Sequence, residues 1–449
     1  MKDFIEKYDF KISLILIGLF SIFIFLPFFI YTPLVQISMD TFDYSYLAKL
    51  IYDGKTPAID INIDLPVGYP LIIFIIKSFG LNFNALVILQ LTFYVFCFMT
   101  LGYQLSKTQK FGGLIIALTF ILFSLNSYTI RHVFKIYPES FYTSFLVLLV
   151  SGLFYYFRTK NKISLVVILL SIIGAVLLRS NGIYLYFIFA ILLLERIYKK
   201  ESLKFYLVSC LGSLLLISSF NYGVKGVFAP FDKNRVLKVV SSISFNTSSV
   251  KNDSLKSEVK KIKTDRKMMF YSYFNSFFKR HSSYYYSMQK SNYDRIINNK
   301  TFSNMDQKFF DGKVSVKNKD DKLLSFMFQE ANDYSFIEKN VFFQKGKSNV
   351  WLYSIYVIQE IIYHLRINFL LYIFFWGSLV YQLGLVFSTK KLKLLHIIYL
   401  IHLLSLVMLP FIHGRFVYRY LQVSEFIIYI GTIMFFIKLC SLKKFKKID

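Results

Sequence analysis

Charged side chains and cysteines are both scarce in this chain of 449 residues. Only 18% of the residues are charged, whereas ordinary soluble domains carry about 25%. The three cysteines, Cys97, Cys210 and Cys440, form no Cys-x-x-Cys pair, which excludes a zinc ribbon, an iron–sulfur site and a disulfide framework. The hydrophobic share is 55%, with 51 Phe and 34 Tyr. This composition excludes a soluble enzyme and is typical of a membrane protein.

The chain is strongly basic, with 53 Lys and Arg against 26 Asp and Glu. A formal net charge of +27 can indicate a nucleic-acid partner. Here, however, long uncharged runs separate the basic clusters, so the clusters follow the ends of membrane spans. We therefore expect membrane lipids as partners and no nucleic acid.

The apolar runs predict an all-α polytopic membrane protein with about ten transmembrane helices. The first run covers residues 12–39 and follows Lys2, Lys7 and Lys11. Further spans are predicted near residues 84–106, 111–130, 137–157, 163–178, 182–197, 204–223, 367–389, 393–412 and 420–438. Short connections rich in Lys and Arg alternate with poorer ones, so the positive-inside rule places both termini inside.

Two of the connections that are predicted to face outward are long. The chain thus divides into an N-terminal transmembrane catalytic module at 1–223 with its first outer loop at 32–83, a large outer loop domain at 224–366, and C-terminal transmembrane helices at 367–449. The apolar stretch 350–365 contains Glu360, and it is predicted to form an interfacial helix or an eleventh span. The alternation of the inner basic clusters favours the interfacial helix.

The first outer loop is predicted to contain two interfacial helices. Apolar residues recur at helical spacing on one face of the first, namely Tyr44, Leu47, Ala48, Ile51 and Tyr52. The second follows a turn at 66–68, and its apolar run is too short to span a bilayer. Asp40 and Asp43 lie at the start of the first helix, where a helix-capping role and a functional role are about equally favoured.

Charged residues at predicted outer helix ends are not needed for the topology. Glu139 opens a span after Pro138, and Arg179 lies between two apolar runs. Because an arginine at mid-membrane costs about 2.5–3.5 kcal/mol, Arg179 is expected at the interface or in a polar cavity. Arg415 and Arg419, four residues apart, are suited to clamping a phosphate. An ordinary helix-start role remains open for Glu139. Contact with lipid headgroups remains open for Arg179, Arg415 and Arg419.

The remaining polar residues give weaker signals. His132 and His413 lack paired metal-ligand spacing, so they are favoured as polar rim residues. Glu425, inside the last span, is expected to pair with an arginine or to be functional. The sequence identifies no cofactor, and a divalent metal is compatible with the carboxylates although no spacing supports it.

Several of these motifs, in this order and on one predicted side, resemble those of the GT-C type glycosyltransferases. These integral membrane enzymes use polyprenyl-phosphate sugars and include protein mannosyltransferases and the lipid A aminoarabinose transferase. The motifs are Asp40 in DTFDYSYLA, the stretch PVGYPL that contains Tyr69, Glu139 in YPES, Leu178–Arg179, and Arg419–Tyr420. The resemblance covers residues 1 to 200 well and 410–425 loosely, and the late motif lacks the family's downstream proline.

The resemblance implies an enzyme that moves a sugar, with inversion, from a polyprenyl-phosphate donor to a hydroxyl of a glycan, lipid or protein. It implies an active site on the outer face of the membrane. The high Lys, Ile, Asn and Phe content of the sequence is typical of an AT-rich bacterial genome, so we expect the bacterial inner membrane. Asp40 is then the general base, Glu139 positions the acceptor or shares a metal, and arginines hold the phosphate. The residues expected to bind substrate are Asp43, Tyr44, Tyr69, Arg131, His132, Arg179, Arg415 and Arg419.

Two other functions stay open. An O-antigen or capsule polymerase is also rich in aromatic residues and has a large outer loop with arginines, but an acidic residue directly after the first span argues mildly against it. A transporter of lipid-linked glycans predicts internal repeats and ionisable residues near mid-span. The sequence has no repeat and few such residues, so this function ranks third.

Overall fold

A computed structural model describes residues 2–31, 39–54, 66–125, 127–198, 200, 203–226, 228–230, 373–381, 384, 394–413 and 423–445. These residues are helical apart from turns and one isolated bridge position at Lys135. The prediction of an all-α fold is therefore confirmed for the described part of the chain.

The helices follow the apolar runs of the sequence. They are α1 Lys2–Tyr31, α2 Met39–Tyr52, α3 Gly68–Ser78, α4 Phe83–Ser106, α5 Gly112–Ser124, α6 Ser127–Phe134, α7 Glu139–Thr159, α8 Lys162–Leu178, α9 Tyr186–Tyr198, α10 Lys204–Lys225, α11 Leu394–His413 and α12 Phe426–Phe445. A 3₁₀ turn at Ser180–Leu185 connects α8 to α9, and residues 373–381 are also helical.

Four of the described helices are long and apolar enough to cross a membrane. They contain the segments Tyr8–Leu26, Phe83–Ser106, Glu139–Thr159 and Lys204–Lys225. Because a bilayer core needs roughly 20 apolar residues, these helices indicate a membrane protein. Several other apolar helices have 10–17 residues, so the predicted total of about ten spans remains a prediction.

Two predicted spans differ in detail from the observed helices. The run 111–130 forms two helices, α5 and α6, rather than one. The sequence at the break, SLNS, is rich in Ser and Asn, which are residue types that disfavour a continuous helix. The run 182–197 begins as the 3₁₀ turn, where Gly182 packs so tightly that a β-carbon would lie 2.8 Å from the Ala175 carbonyl carbon.

The helices α4, α7 and α8 form the centre of the bundle. Helix α7 packs against both α4 and α8, while α1 and α12 pack on α5, and α11 packs on the 3₁₀ turn. An aromatic cluster fills the space between α4, α5 and α12 through Tyr94, Phe98, Phe120, Phe123 and Phe426. The rings of Phe98 and Phe120 meet edge to face, with centroids 5.3 Å apart.

The two short helices predicted in the first outer loop are present as α2 and α3. Tyr44, Leu47 and Ala48 of the predicted apolar face are buried, whereas Tyr52 at its end is 51% exposed. Helix α3 packs on α2, on α4 and on α8. Whether these helices lie along a membrane surface stays a prediction.

Candidate functional site

Glu139 and Arg179 form a buried ion pair where α7 begins and α8 ends. The turn at Lys160–Asn161 reverses the chain between these helices, which places the start of α7 beside the end of α8. The Nη2 group of Arg179 donates a hydrogen bond to Oε1 of Glu139. Glu139 is 0% exposed and Arg179 is 8% exposed. Arg179 is thus paired with a carboxylate inside the protein, and its expected position at the membrane interface or in a polar cavity stays a prediction.

The second carboxylate oxygen of Glu139 has a different environment. Oε2 is buried and accepts no hydrogen bond from any residue that the structure describes. A buried acceptor without a donor is costly, and at such sites an ordered water, an ion or a bound ligand supplies the donor. The geometry thus combines one oxygen fixed by arginine with one oxygen suited to a hydroxyl donor.

A hydrogen-bond network around Gln90 connects three elements near this pair. The hydroxyl of Tyr69 in α3 donates to Oε1 of Gln90 in α4 at 2.7 Å. The Nε2 group of Gln90 donates to the carbonyls of Val133 and Lys135, at 2.8 and 3.0 Å. Because all donors and acceptors here are buried, the network fixes α3 and α4 relative to the segment that leads into Glu139.

Tyr69 is also electrostatically coupled to the ion pair. Burial, and then the charge of the Glu139 carboxylate, raise the pKa of Tyr69 well above its ordinary value. Its hydroxyl therefore stays protonated and remains a donor. The ring of Tyr44 packs edge-on against the Tyr69 ring, with centroids 5.2 Å apart, so α2 reaches the same site.

A small cavity lies beside the first turn of α7, and it is roughly the size of one water molecule. Its lining contains both polar and apolar side chains, and consists of Tyr94, Phe123, Thr129, His132, Val133, Ser140, Thr143 and Val423. The buried hydroxyl of Ser140 bonds to none of the described residues. A cavity of this polarity suits an ordered water.

The structure brings together only part of the predicted site. Glu139, Arg179, Tyr69, Tyr44 and His132 lie at one end of the helices. Asp40 belongs to the first turn of α2, but the side chains of Asp40, Asp43, Arg131 and His413 lie outside what the structure describes. So do all of Arg415, Arg419, the stretch 350–365 and the loop 224–366 from residue 231 onward. Glu425 is buried in the turn before α12.

Three contributors to the site were not predicted from the sequence. Gln90 is the hub of the network, Lys135 is buried with 5% exposure, and Tyr142 lies one turn after Glu139. Gln90 carries a detectable signal, because an amide in a long apolar span needs a buried partner. Tyr142 follows Glu139 by three residues, and this spacing places both on one helix face.

Within the described ranges, no group of three or more His, Cys, Asp or Glu residues is placed to hold a metal ion. Comparison with protein-family models and with curated proteins finds no match to this chain. The function is therefore inferred from the residues and from the geometry of the site.

Proposed function

We propose that the chain is an integral membrane glycosyltransferase that moves a sugar from a polyprenyl phosphate to an acceptor hydroxyl. The main support is the buried Glu139–Arg179 pair, which couples an acidic helix start to the Leu-Arg motif. Helix α3, which contains the PVGYPL residues from Gly68 onward, packs against the same end of α8, where Gly68 approaches the backbone of Leu177. Helix α2, which contains Asp40, packs on α3. These are motifs on which the GT-C resemblance rests.

In the proposed reaction, the carboxylate of Asp40 takes the proton of the acceptor hydroxyl as its oxygen attacks the anomeric carbon. A new bond forms between that oxygen and the anomeric carbon. The bond from the anomeric carbon to the phosphate oxygen breaks, and the lipid phosphate leaves with the electron pair. A single displacement of this kind inverts the configuration of the sugar.

Glu139 and the arginines have separate roles in this scheme. Glu139 positions the acceptor, since its Oε2 atom can accept a hydrogen bond from a second hydroxyl of the acceptor. Arg179 fixes Glu139 through a charge-assisted hydrogen bond from its guanidinium. Arg415 and Arg419 are proposed to stabilise the leaving phosphate.

The proposal is tested by mass spectrometry of surface glycans and lipids from a strain that lacks the gene. The strain is complemented with the wild type, Asp40→Asn, Glu139→Gln or the control Asp53→Asn. Asp53 lies just beyond α2, is exposed, and pairs with Lys49 on the surface. We expect the glycans or lipids of the deletion strain to lack the mass of one sugar. The wild type and Asp53→Asn should restore this mass, whereas Asp40→Asn and Glu139→Gln should not.

Other outcomes separate the rival functions. Collapse of a length ladder to single repeat units would identify a polymerase and remove the basis for Asp40 as the base. Glycans of normal mass that accumulate on the inner side would identify a transporter. Full restoration by Asp40→Asn would reject the proposed mechanism.

A further inference from the structure

Two polar contacts join α7 to the 3₁₀ turn in parallel. The first is the Glu139–Arg179 pair, and Arg179 directly precedes the turn. The second is a hydrogen bond of 3.3 Å from the hydroxyl of Tyr142 to the hydroxyl of Tyr184. Both tyrosines are 2% exposed. A second buried contact between the same two elements thus lies one helical turn along α7 from the ion pair.

The second contact continues into α11 with a fixed direction. Ser405 donates its proton to the carbonyl of Ile401 at 2.9 Å, so its oxygen accepts from Tyr184 at 2.6 Å. Tyr184 in turn accepts from Tyr142. Every hydroxyl proton in this chain therefore points away from the ion pair. Since the chain ends at a backbone carbonyl, it offers no exit for a proton and cannot act as a relay.

The direction of the chain has an electrostatic consequence at its first member. A hydroxyl that donates its proton becomes a better acceptor, and chains of such bonds polarise one another. Tyr142 is the first donor, so the negative end of the polarised chain is its oxygen. Because Tyr184 belongs to the 3₁₀ turn that directly follows Arg179, the polarised chain also fixes this turn, and with it the backbone of Arg179, against α7.

We propose that Tyr142, Tyr184 and Ser405 are positioning residues that hold Arg179 against Glu139 and couple the candidate site to α11. The catalytic importance of this role rests on the proposed function, but the positioning itself does not. Ser405 is 226 positions beyond Arg179 in the sequence (405 − 179), so the C-terminal helices contribute to a site whose charged pair lies in the N-terminal module.

The test is phenylglyoxal modification of Arg179 in the purified full-length protein in lipid nanodiscs, quantified on the Arg179 peptide by mass spectrometry. The variants are Tyr142→Phe, Tyr184→Phe and Ser405→Ala. The matched control is Tyr156→Phe, because Tyr156 forms a buried 2.7 Å bond to Tyr206 at the other end of α7. We expect the three variants to react about fivefold faster than the wild type, as the loss of one net hydrogen bond implies.

Further arms separate the positioning role from general damage to the fold. Ser405→Thr keeps the hydroxyl and should restore the slow reaction, whereas Ser405→Ala should not. Equal rates in Ser405→Ala and the wild type, or an equal rise in Tyr156→Phe, would overturn the proposal. If the wild type transfers no sugar in the glycan experiment while the rates still differ as expected, the positioning role stands and the proposed function is rejected.

Discussion

Glu139 and Arg179 form an ion pair, and both side chains are almost completely buried. A buried ion pair contributes little net stability, since the desolvation of two charges offsets their attraction. Removing one partner has a much larger effect, because the other charge is left buried and uncompensated. At the residue scale, the pair therefore determines which substitutions the site tolerates.

Arg179→Met should lower the free energy of unfolding by about 3–5 kcal/mol, because it leaves the Glu139 carboxylate without its cation. The double variant Arg179→Met with Glu139→Gln should recover much of this loss. The measurement is denaturant unfolding in detergent micelles. Lys49→Ala breaks the partly exposed Lys49–Asp53 pair and serves as the control, with an expected loss of about 0–1 kcal/mol. A double variant no more stable than Arg179→Met would contradict the coupling.

The beginning of α3 and the end of α8 meet without an intervening side chain. A β-carbon on Gly68 would lie 2.7 Å from the carbonyl oxygen of Leu177, which is closer than such atoms approach in proteins. This contact sets the position of Tyr69, the next residue, and so the bond from Tyr69 to Gln90. At the element scale, glycine at this position allows the PVGYPL stretch to reach the ion pair.

Gly68→Ala should push α3 away from α8 and cost about 1–3 kcal/mol of stability, as overpacked contacts do. Its effect on the proposed transfer activity should be larger than that of Gly212→Ala. Gly212 lies within α10, and an added β-carbon there meets nothing within 4 Å. Thermal unfolding and glycan mass analysis of both variants provide the comparison. Equal behaviour of the two variants would show that the close approach is unimportant.

A polar contact between α1 and α5 lies at the end of the bundle that is opposite to the candidate site. Asp9 of α1 is buried, and its carboxylate accepts from the backbone N–H groups of Gly113 at 2.7 Å and Leu114 at 3.0 Å. These groups open α5 and have no partner within the helix, so an acidic side chain satisfies them and matches the helix dipole. Helix α1 is thereby fixed against α5 by a cap from a distant part of the sequence.

Asp9→Ala should cost about 1–2 kcal/mol, at the upper end of the range for N-caps, because two buried N–H groups lose their acceptor. Asn82→Ala, which removes the exposed cap of α4, is the matched control and should cost less. Both losses are measured by thermal unfolding in the same detergent. An Asp9→Ala variant as stable as the wild type would contradict the proposed contribution of this cap.

At the scale of the whole molecule, the candidate site and the basic residue Lys107 lie at opposite ends of α4. Helix α4 has 24 residues and is therefore about 36 Å long. Gly80 and Asn82 lie at the end that holds the candidate site, while Lys107 lies at the other end. The positive-inside rule predicts that the site end faces outward. This orientation is essential to the proposed function, because the lipid-linked donor is expected in the outer leaflet.

Single cysteines introduced at Asn82 and at Lys107, in a variant without the three native cysteines, test this orientation. In intact cells, a membrane-impermeant maleimide should label the cysteine at position 82, because this position faces outward. The cysteine at position 107 should react only after permeabilisation. The reverse pattern would place the ion pair on the inner side and reject an outward-facing transferase.

The sequence alone was sufficient to predict most helices of the described part, because long apolar runs must form helices when no water can satisfy the backbone. It also indicated Glu139 and Arg179 as residues that required an explanation beyond topology. It did not predict the break between α5 and α6, since short polar residues in an apolar run can lie within one continuous helix or at a break between two helices.

Only the tertiary structure decided which polar groups meet. The pairing of Arg179 with Glu139, 40 residues apart, depends on how α7 and α8 rotate about their axes as they pack. The same holds for the bonds of Gln90 and for the hydroxyl chain that ends in α11. Hydrophobic periodicity determines where a helix lies along the sequence, whereas the choice of partner for each buried polar group follows from close packing in three dimensions.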